Sequence, residues 1–345
     1  MPRHTELTLT AQTAYAELFE VALAADLARG VADLRGAFSS KTVKGRKYWY
    51  FQFAGLDGVH RQLYVGPDTP EVQALVGQTQ TARASPLIPL ARSALALGCA
   101  GLLPRHYRVI RQLADFGFFR AGGLLVGTHA FLAYGNLLGV HWGDASRTQD
   151  VDFAHAGKNL SIALPSSIEI DVPKAIESLQ MGLLPVTQLS GKRGATFLNP
   201  RQPEFRLDFL TTLKRGGDEP YIHPRLGIPL QPLKFMEFGL QSPIQAALFC
   251  PEGAVTVSLP DPARYAVHKL LVYGERAGAF LHKGQKDLLQ AAALLAYYRE
   301  RRPWEIEAAW ADLSSRGKGW AMRARRGLAA LEGIAPELGA AGWLG

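Results

Sequence analysis

Three acidic residues, Asp150, Asp152 and Asp208, fall on two short apolar runs that read as strands. A third run, ending at Val126, passes through Gly127-Thr128 into a helical pattern. Carboxylates on core strands are costly to leave unpaired, and a divalent cation that collects them removes the cost. Asp150 and Asp152 are two residues apart, so on a strand both belong to one face, with Val151 and Phe153 on the other. Around Asp208 the alternation assigns Phe205, Leu207 and Phe209 to the core, and Arg206 and Asp208 to the opposite face. If the two strands are neighbours, the three acids converge on magnesium or manganese, with phosphates and waters completing an oxygen shell. Gly127 lets the backbone approach an anion, and the free amides of the following helix face it. Thr128 either adds a hydroxyl or caps that helix. The expected chemistry is metal-dependent and acts on a nucleoside triphosphate.

Several classes are excluded. No G-x-x-x-x-G-K-[ST] loop occurs, and no Rossmann glycine triplet follows a strand. Two cysteines, Cys99 and Cys250, make neither a disulfide framework nor a zinc or iron–sulfur cluster, which points to a reducing compartment. The opening MPRHTELTLT lacks the order of a signal peptide, and no apolar run reaches membrane-spanning length. The expectation is a cytoplasmic protein with no membrane partner. Net charge is +8, concentrated at 41–47 and 316–326, and favours a polyanionic partner.

The elements that must position the acids are legible as periodicity. Residues 11–29 have helical spacing at Tyr15, Leu18, Phe19 and Ala22. The basic run from Lys41 to Lys47 leads into Tyr48-Trp49-Tyr50-Phe51, and Gly55 to Gly58 turns the chain back into Val59 to Val65, a hairpin. Alternation splits Tyr48 and Tyr50 from Trp49 and Phe51, so one set is expected in the core. Basic residues beside exposed rings also suit nucleic-acid contact. Helical, alanine-rich sequence runs towards residue 100 with breaks at Pro86 and Pro89, and a helix through Tyr107 and Ile110 ends at Gly117. The loop 138–149, holding His141 and Asp144, is expected as a mobile lid before the acidic strand. A strand at 168–172 precedes a helix start at Pro173, and further strands fall at 195–198 and 205–211. The proline-rich interval 220–232 is expected as a hinge. Asp261-Pro262 starts a helix, 285–299 and 304–313 are helical, and Arg316, Lys318, Arg323, Arg325 and Arg326 read as a solvated helical surface. His129 either approaches phosphate or packs. The domain reading is 1–103, an N-terminal helical region with the basic hairpin at 41–65; 104–230, a catalytic core; and 231–345, a mostly helical domain.

This pattern resembles the nucleotidyltransferase superfamily with the DNA polymerase beta-like fold, and within it bacterial proteins related to the AbiEii toxin group. The superfamily motif is a hydrophobic residue and glycine followed by Gly or Ser, then an acid-x-acid pair, then a third acid on a later strand. Val126-Gly127, Asp150, Asp152 and Asp208 match it, while Thr128 replaces the usual Gly or Ser and the gap from Gly127 to Asp150 is long. The resemblance implies an α+β fold with a mixed-sheet, polymerase-beta-like core. It implies that Asp150 and Asp152 bind metal and triphosphate and that Asp208 completes the metal site and activates the acceptor. Lys269 looks like the family's lysine early in one helix, and Lys286-Asp287 like the basic-Asp pair of a later one. Gly127, Thr128, Lys192, Lys269 and Asp287 are therefore the nucleotide-binding candidates. The acceptor expected is RNA, such as transfer RNA, or protein, and an antitoxin-like partner is a further family possibility. The alternative is a nucleic-acid-binding protein that kept the fold and lost catalysis, or a toxin-like component.

Overall fold

The computed structural model describes residues 3–28, 36–54, 60–73, 76, 86–142, 151–155, 176–177, 181–187, 193–213, 217, 219–223, 227–276 and 281–344. It opens with β1 (His4–Glu6) and α1 (Leu9–Ala28), and Tyr15, Leu18 and Ala22 are buried as their spacing requires. Strands β2 (Gly36–Val43), β3 (Arg46–Ala54) and β4 (His60–Pro67) form an antiparallel sheet. The basic run does not merely lead into a hairpin. Lys41 to Val43 end β2, and Lys44 and Gly45, at φ 49° and 74°, make a two-residue turn into β3. Positive φ at both turn residues matches the twist of the flanking strands. The expected turn at Gly55 to Gly58 lies outside the described residues. Neither aromatic set is core: Tyr48, Trp49, Tyr50 and Phe51 are all only half-buried, with Tyr48 and Tyr50 packed against Tyr64 and Phe51 against Phe38.

Helix α2 (Leu87–Ala96) keeps Pro89 in its first turn, where a missing N–H costs nothing, so no break occurs there. Helix α3 (Pro104–Asp115) buries Tyr107, Ile110 and Leu113. Then β5 (Gly123–Val126) runs directly into α4 (Gly127–Leu138). The segment expected as a mobile lid begins with β6 (Val140–Trp142), paired antiparallel with β1, so His141 is strand residue and opposite Thr5. Trp142 stacks on Phe131 and donates to its carbonyl, which anchors that strand. Asp144 lies outside the described residues, as do the strand expected at 168–172 and the helix start at Pro173.

The main sheet takes β7 (Val151–His155), β8 (Leu184–Thr187), β9 (Arg193–Asn199), β10 (Gln202–Thr212), β11 (Tyr221–Ile222) and β12 (Pro229–Leu233). Its path is β11-β12-β10-β7-β5, with β9 on β10 and β8 on β9. Strands β7 and β12 run parallel to β10, and β5 and β9 run antiparallel to their neighbours, so the sheet is mixed. Within the interval 220–232, Tyr221–Ile222 and Pro229–Leu233 are strands of the main sheet, so its described parts are not a free hinge. Ile228 and Leu230, fully buried between its prolines, pull it into the core. Phe205, Leu207 and Phe209 are buried, and Arg206 and Asp208 take the opposite face, as alternation predicts.

After the short α5 (Met236–Gly239), a hairpin of β13 (Ile244–Cys250) and β14 (Gly253–Leu259) is an element the sequence reading missed. Four long helices follow, α6 (Pro262–Glu275), α7 (Leu281–Arg301), α8 (Pro303–Ser315) and α9 (Lys318–Ile334), and then a short α10 (Ala340–Leu344). Asp261 caps α6 by accepting from the Arg264 amide at 2.9 Å. Among the described residues no helix is long and apolar enough to cross a membrane. The basic surface at 316–326 is divided. Lys318, Arg325 and Arg326 are exposed, but Arg316 donates to Gln241 and Asp312, and Arg323 pairs with Glu275, so these two are fastened into the fold.

Helices α6 and α9 touch backbone to backbone. A Cβ on Gly274 would strike the Arg323 carbonyl, and one on Gly327 would strike the Leu270 carbonyl. Gly327→Ala should therefore cost about 1–3 kcal/mol in urea denaturation, the usual penalty for overpacking. Gly333→Ala, on the same helix with nothing within 4 Å, should be neutral or stabilising. Equal effects of the two would refute the close contact.

Candidate functional site

The site is built at the C-terminal end of β5. Val126 ends the strand in extended geometry, and Gly127 turns at φ 68°, a left-handed conformation that costs any other residue about 1–2 kcal/mol. In register across the sheet stand Val126, Asp152, Asp208 and Thr196, one on each of β5, β7, β10 and β9. Asp152 and Asp208 are direct partners on parallel strands, a backbone spacing of roughly 4.8 Å. The Thr196 hydroxyl donates to Asp208 Oδ1 at 2.6 Å and fixes that carboxylate. Asp152 is described through its backbone, and Asp150 and Lys192 lie outside the described residues. Among the described residues no three acidic, histidine or cysteine side chains form a metal-sized group.

Beside this row opens a cleft of about 390 Å³. Val126 and Gly127 form part of its floor, with Leu210, which follows Asp208 by two residues on the same face of β10. The acids thus lie about 6–7 Å along the strand from the cleft wall. The facing wall is α6, which contributes Tyr265, His268, Lys269 and Val272, with Arg276 just beyond it and Asp287 from α7. Asp287 is 2.5 Å from Lys269 Nζ and 2.6 Å from an Arg276 nitrogen, one carboxylate shared by two cations. Burial alone would raise the Asp287 carboxyl, but the Lys269 and Arg276 charges outweigh it and hold it below the usual carboxylate range. The cluster keeps one net positive charge on the cleft wall.

The glycine turn is tied to the helices through a buried phenol. Tyr265 Oη lies 2.9 Å from the Gly127 carbonyl and 2.8 Å from Gln290 Oε1, and its single proton serves one acceptor at a time. Gln290 in turn donates to the Thr128 hydroxyl at 3.3 Å. Thr128 is buried and no side chain caps α4, so its hydroxyl is used inside the fold, not as a cap. At the rim Phe235 adopts φ 67°, a strained value for a bulky residue, and is held there edge-on against Trp320.

A family model described as nucleotidyltransferase matches residues 105–315, more than half of the chain. The chain belongs to that nucleotidyltransferase family. An antigenic nucleotidyltransferase-like protein from Paracoccidioides brasiliensis is a similar solved structure, at 15% identity over 66% of this chain and 95% of that one, with a TM-score of 0.31. Comparison with curated proteins gave no match. The matched residues include the whole acidic row, the glycine turn and the facing helices α6 and α7.

The structure therefore brings Gly127, Lys269 and Asp287 around one cleft, with Asp152 and Asp208 in register at its side. Tyr265, Gln290 and Phe235 were missed from sequence. One signal for Tyr265 exists: it precedes Lys269 by four residues, one helical turn, and the ammonium sits 5.0 Å from its ring. His129 packs and does not reach for an anion. It is buried with Nε2 2.9 Å from His106 Nδ1, and burial, then the neighbouring imidazole and Lys286, lower it to about 3. Burial and Lys269 lower His268 to about 4, against the opposing pull of Asp287.

Both imidazoles stay neutral in the native state while the unfolded chain protonates them near pH 6.5. The unfolded state then binds more protons, so stability is full above about pH 6.5 and falls as pH drops towards the folded values of about 4 and 3. Urea midpoints should decline between about pH 6.5 and 5, above the range where carboxylates titrate. A flat profile there would contradict neutral burial.

Proposed function

We propose that the protein moves a nucleoside monophosphate from a nucleoside triphosphate to an acceptor hydroxyl, on RNA such as transfer RNA or on protein, releasing pyrophosphate. The observation that carries this reading is the register of Asp152 against Asp208, one strand from the Val126-Gly127 turn that floors the cleft. Family membership supports a nucleoside triphosphate as donor. A polymerase-beta-like core and kinship with AbiEii-like proteins belong to the same proposal, supported by the acid spacing and the mixed strand order.

In the proposed step the acceptor oxygen bonds to the α-phosphorus while the bond from that phosphorus to the bridging oxygen breaks, and the electron pair leaves with pyrophosphate. Asp208, oriented by Thr196, receives the acceptor's proton on its carboxylate. Gly127 allows the first amides of α4 to approach phosphate oxygens with no side chain between. Lys269 and Arg276, held side by side by Asp287, oppose the triphosphate charge from the facing wall. Asp287 acts as a positioning residue. Asp150, Asp152 and Asp208 offer oxygen donors of the kind magnesium or manganese takes, and the backbones of Asp152 and Asp208 are in register on neighbouring strands. Such an ion, when bound, screens the phosphates and acidifies the acceptor oxygen.

Each labelled nucleoside triphosphate should be incubated with magnesium or manganese and total RNA or protein, and acceptors read by mass spectrometry. Asp152→Asn and Asp208→Asn should each lower transfer by more than about 100-fold, beyond what loss of an outer-shell partner costs. Transfer that survives both substitutions, or none to any acceptor by the unaltered chain, defeats the assignment.

A further inference from the structure

The β2-β3-β4 sheet has two faces of different character. In register on one face lie Ser39, Lys41, Tyr48, Tyr50, Gln62 and Tyr64. Tyr64 is 58% exposed, and its ring contacts those of Tyr50 and Tyr48 at 5.6 and 6.2 Å between centroids. Lys41 lies 5.2 Å from the Tyr50 ring and 3.0 Å from Gln62 Oε1, which places a cation and an amide among the rings. Lys44 and Arg46, both exposed, extend the charge at the turn beyond them. Not one acidic residue occurs in 36–54 or 60–67. Asp68, just beyond β4, accepts from Trp49 and pairs with Lys47, and both of those belong to the opposite face. Among the described residues, no acid is paired with the cations of the tyrosine face.

We infer that this face binds single-stranded nucleic acid, with bases stacked on Tyr64 and Tyr50 and phosphates against Lys41, Lys44 and Arg46. The chemistry favours this over the alternatives. Flat rings with polar neighbours accept any base, and cations grouped around the β2–β3 turn beside them meet the phosphates of the same strand of nucleic acid. A paired helix hides its base faces and offers the rings nothing to stack on. An anionic membrane would use the charge, but among the described residues the exposed apolar side chain beside these phenols is the short Val43, too little to insert. The surface needs neither donor nucleotide nor metal, so it stands whether or not the transfer reading does.

The test is fluorescence anisotropy of a labelled single-stranded oligouridylate with the full chain, in chelator and without nucleoside triphosphate. Binding should weaken with salt at a log–log slope of about −2, as expected for three phosphate contacts on a single strand. Tyr64→Ala should weaken it at least about fivefold, while Tyr64→Phe, which keeps the ring, should bind as the unaltered chain does. Because Tyr64 is exposed, unchanged thermal unfolding of both variants separates lost contact from lost fold. Tighter binding to a duplex of the same length or to phosphatidylserine vesicles, or indifference to Tyr64→Ala, would overturn the proposal.

Discussion

The register between β5, β7 and β10 is the constraint from which the rest of the site follows. A slip of one residue in any of these strands would send its side chains to the opposite face. Asp208 would then enter the apolar layer now filled by Phe205, Leu207 and Phe209, and its pairing with Asp152 would be lost. Burial of three large hydrophobes against one carboxylate makes the correct register far cheaper than its neighbours. Phe118 adds a local pin. Its ring occupies the space that a Cβ at residue 123 would need, so the strand must begin with glycine there.

Across the cleft a different economy holds. Sharing Asp287 between Lys269 and Arg276 does little for net stability, because the desolvation of buried ions offsets much of their attraction. What the arrangement supplies is direction, since both cations are held on the wall that faces Gly127. Tyr265 links the two sides by bonding to the Gly127 carbonyl while its ring lies beneath the Lys269 ammonium. The turn that would cradle phosphate and the cation that would oppose it are thus set by one side chain.

Features governed by nearest neighbours were legible in the chain. Alternation divided Phe205–Phe209 from Asp208 correctly, Asp261 caps its helix, and Gly127 turns where the strand–helix junction demanded. Features governed by partner choice were not. The 220–232 interval reads as a breaker by its prolines, yet Ile228 and Leu230 find a buried place beside β10. The β13-β14 hairpin carried a turn signal at Pro251-Glu252-Gly253, and its small apolar residues masked it among helical sequence. Arg316 and Arg323 looked like surface because their acceptors, Gln241 and Glu275, are 75 and 48 residues away. Local pattern says which face a residue takes, and only the assembled fold says what it meets.

The paired glycines of α6 and α9 bear on how the cleft can work. Where two backbones abut, no layer of compressible side chains lies between them, so neither cylinder can rotate or slip without the other. Lys269 and Tyr265 ride on that welded pair. Their positions on the cleft wall are therefore fixed in advance, and the proposed triphosphate would demand little reorganisation of them.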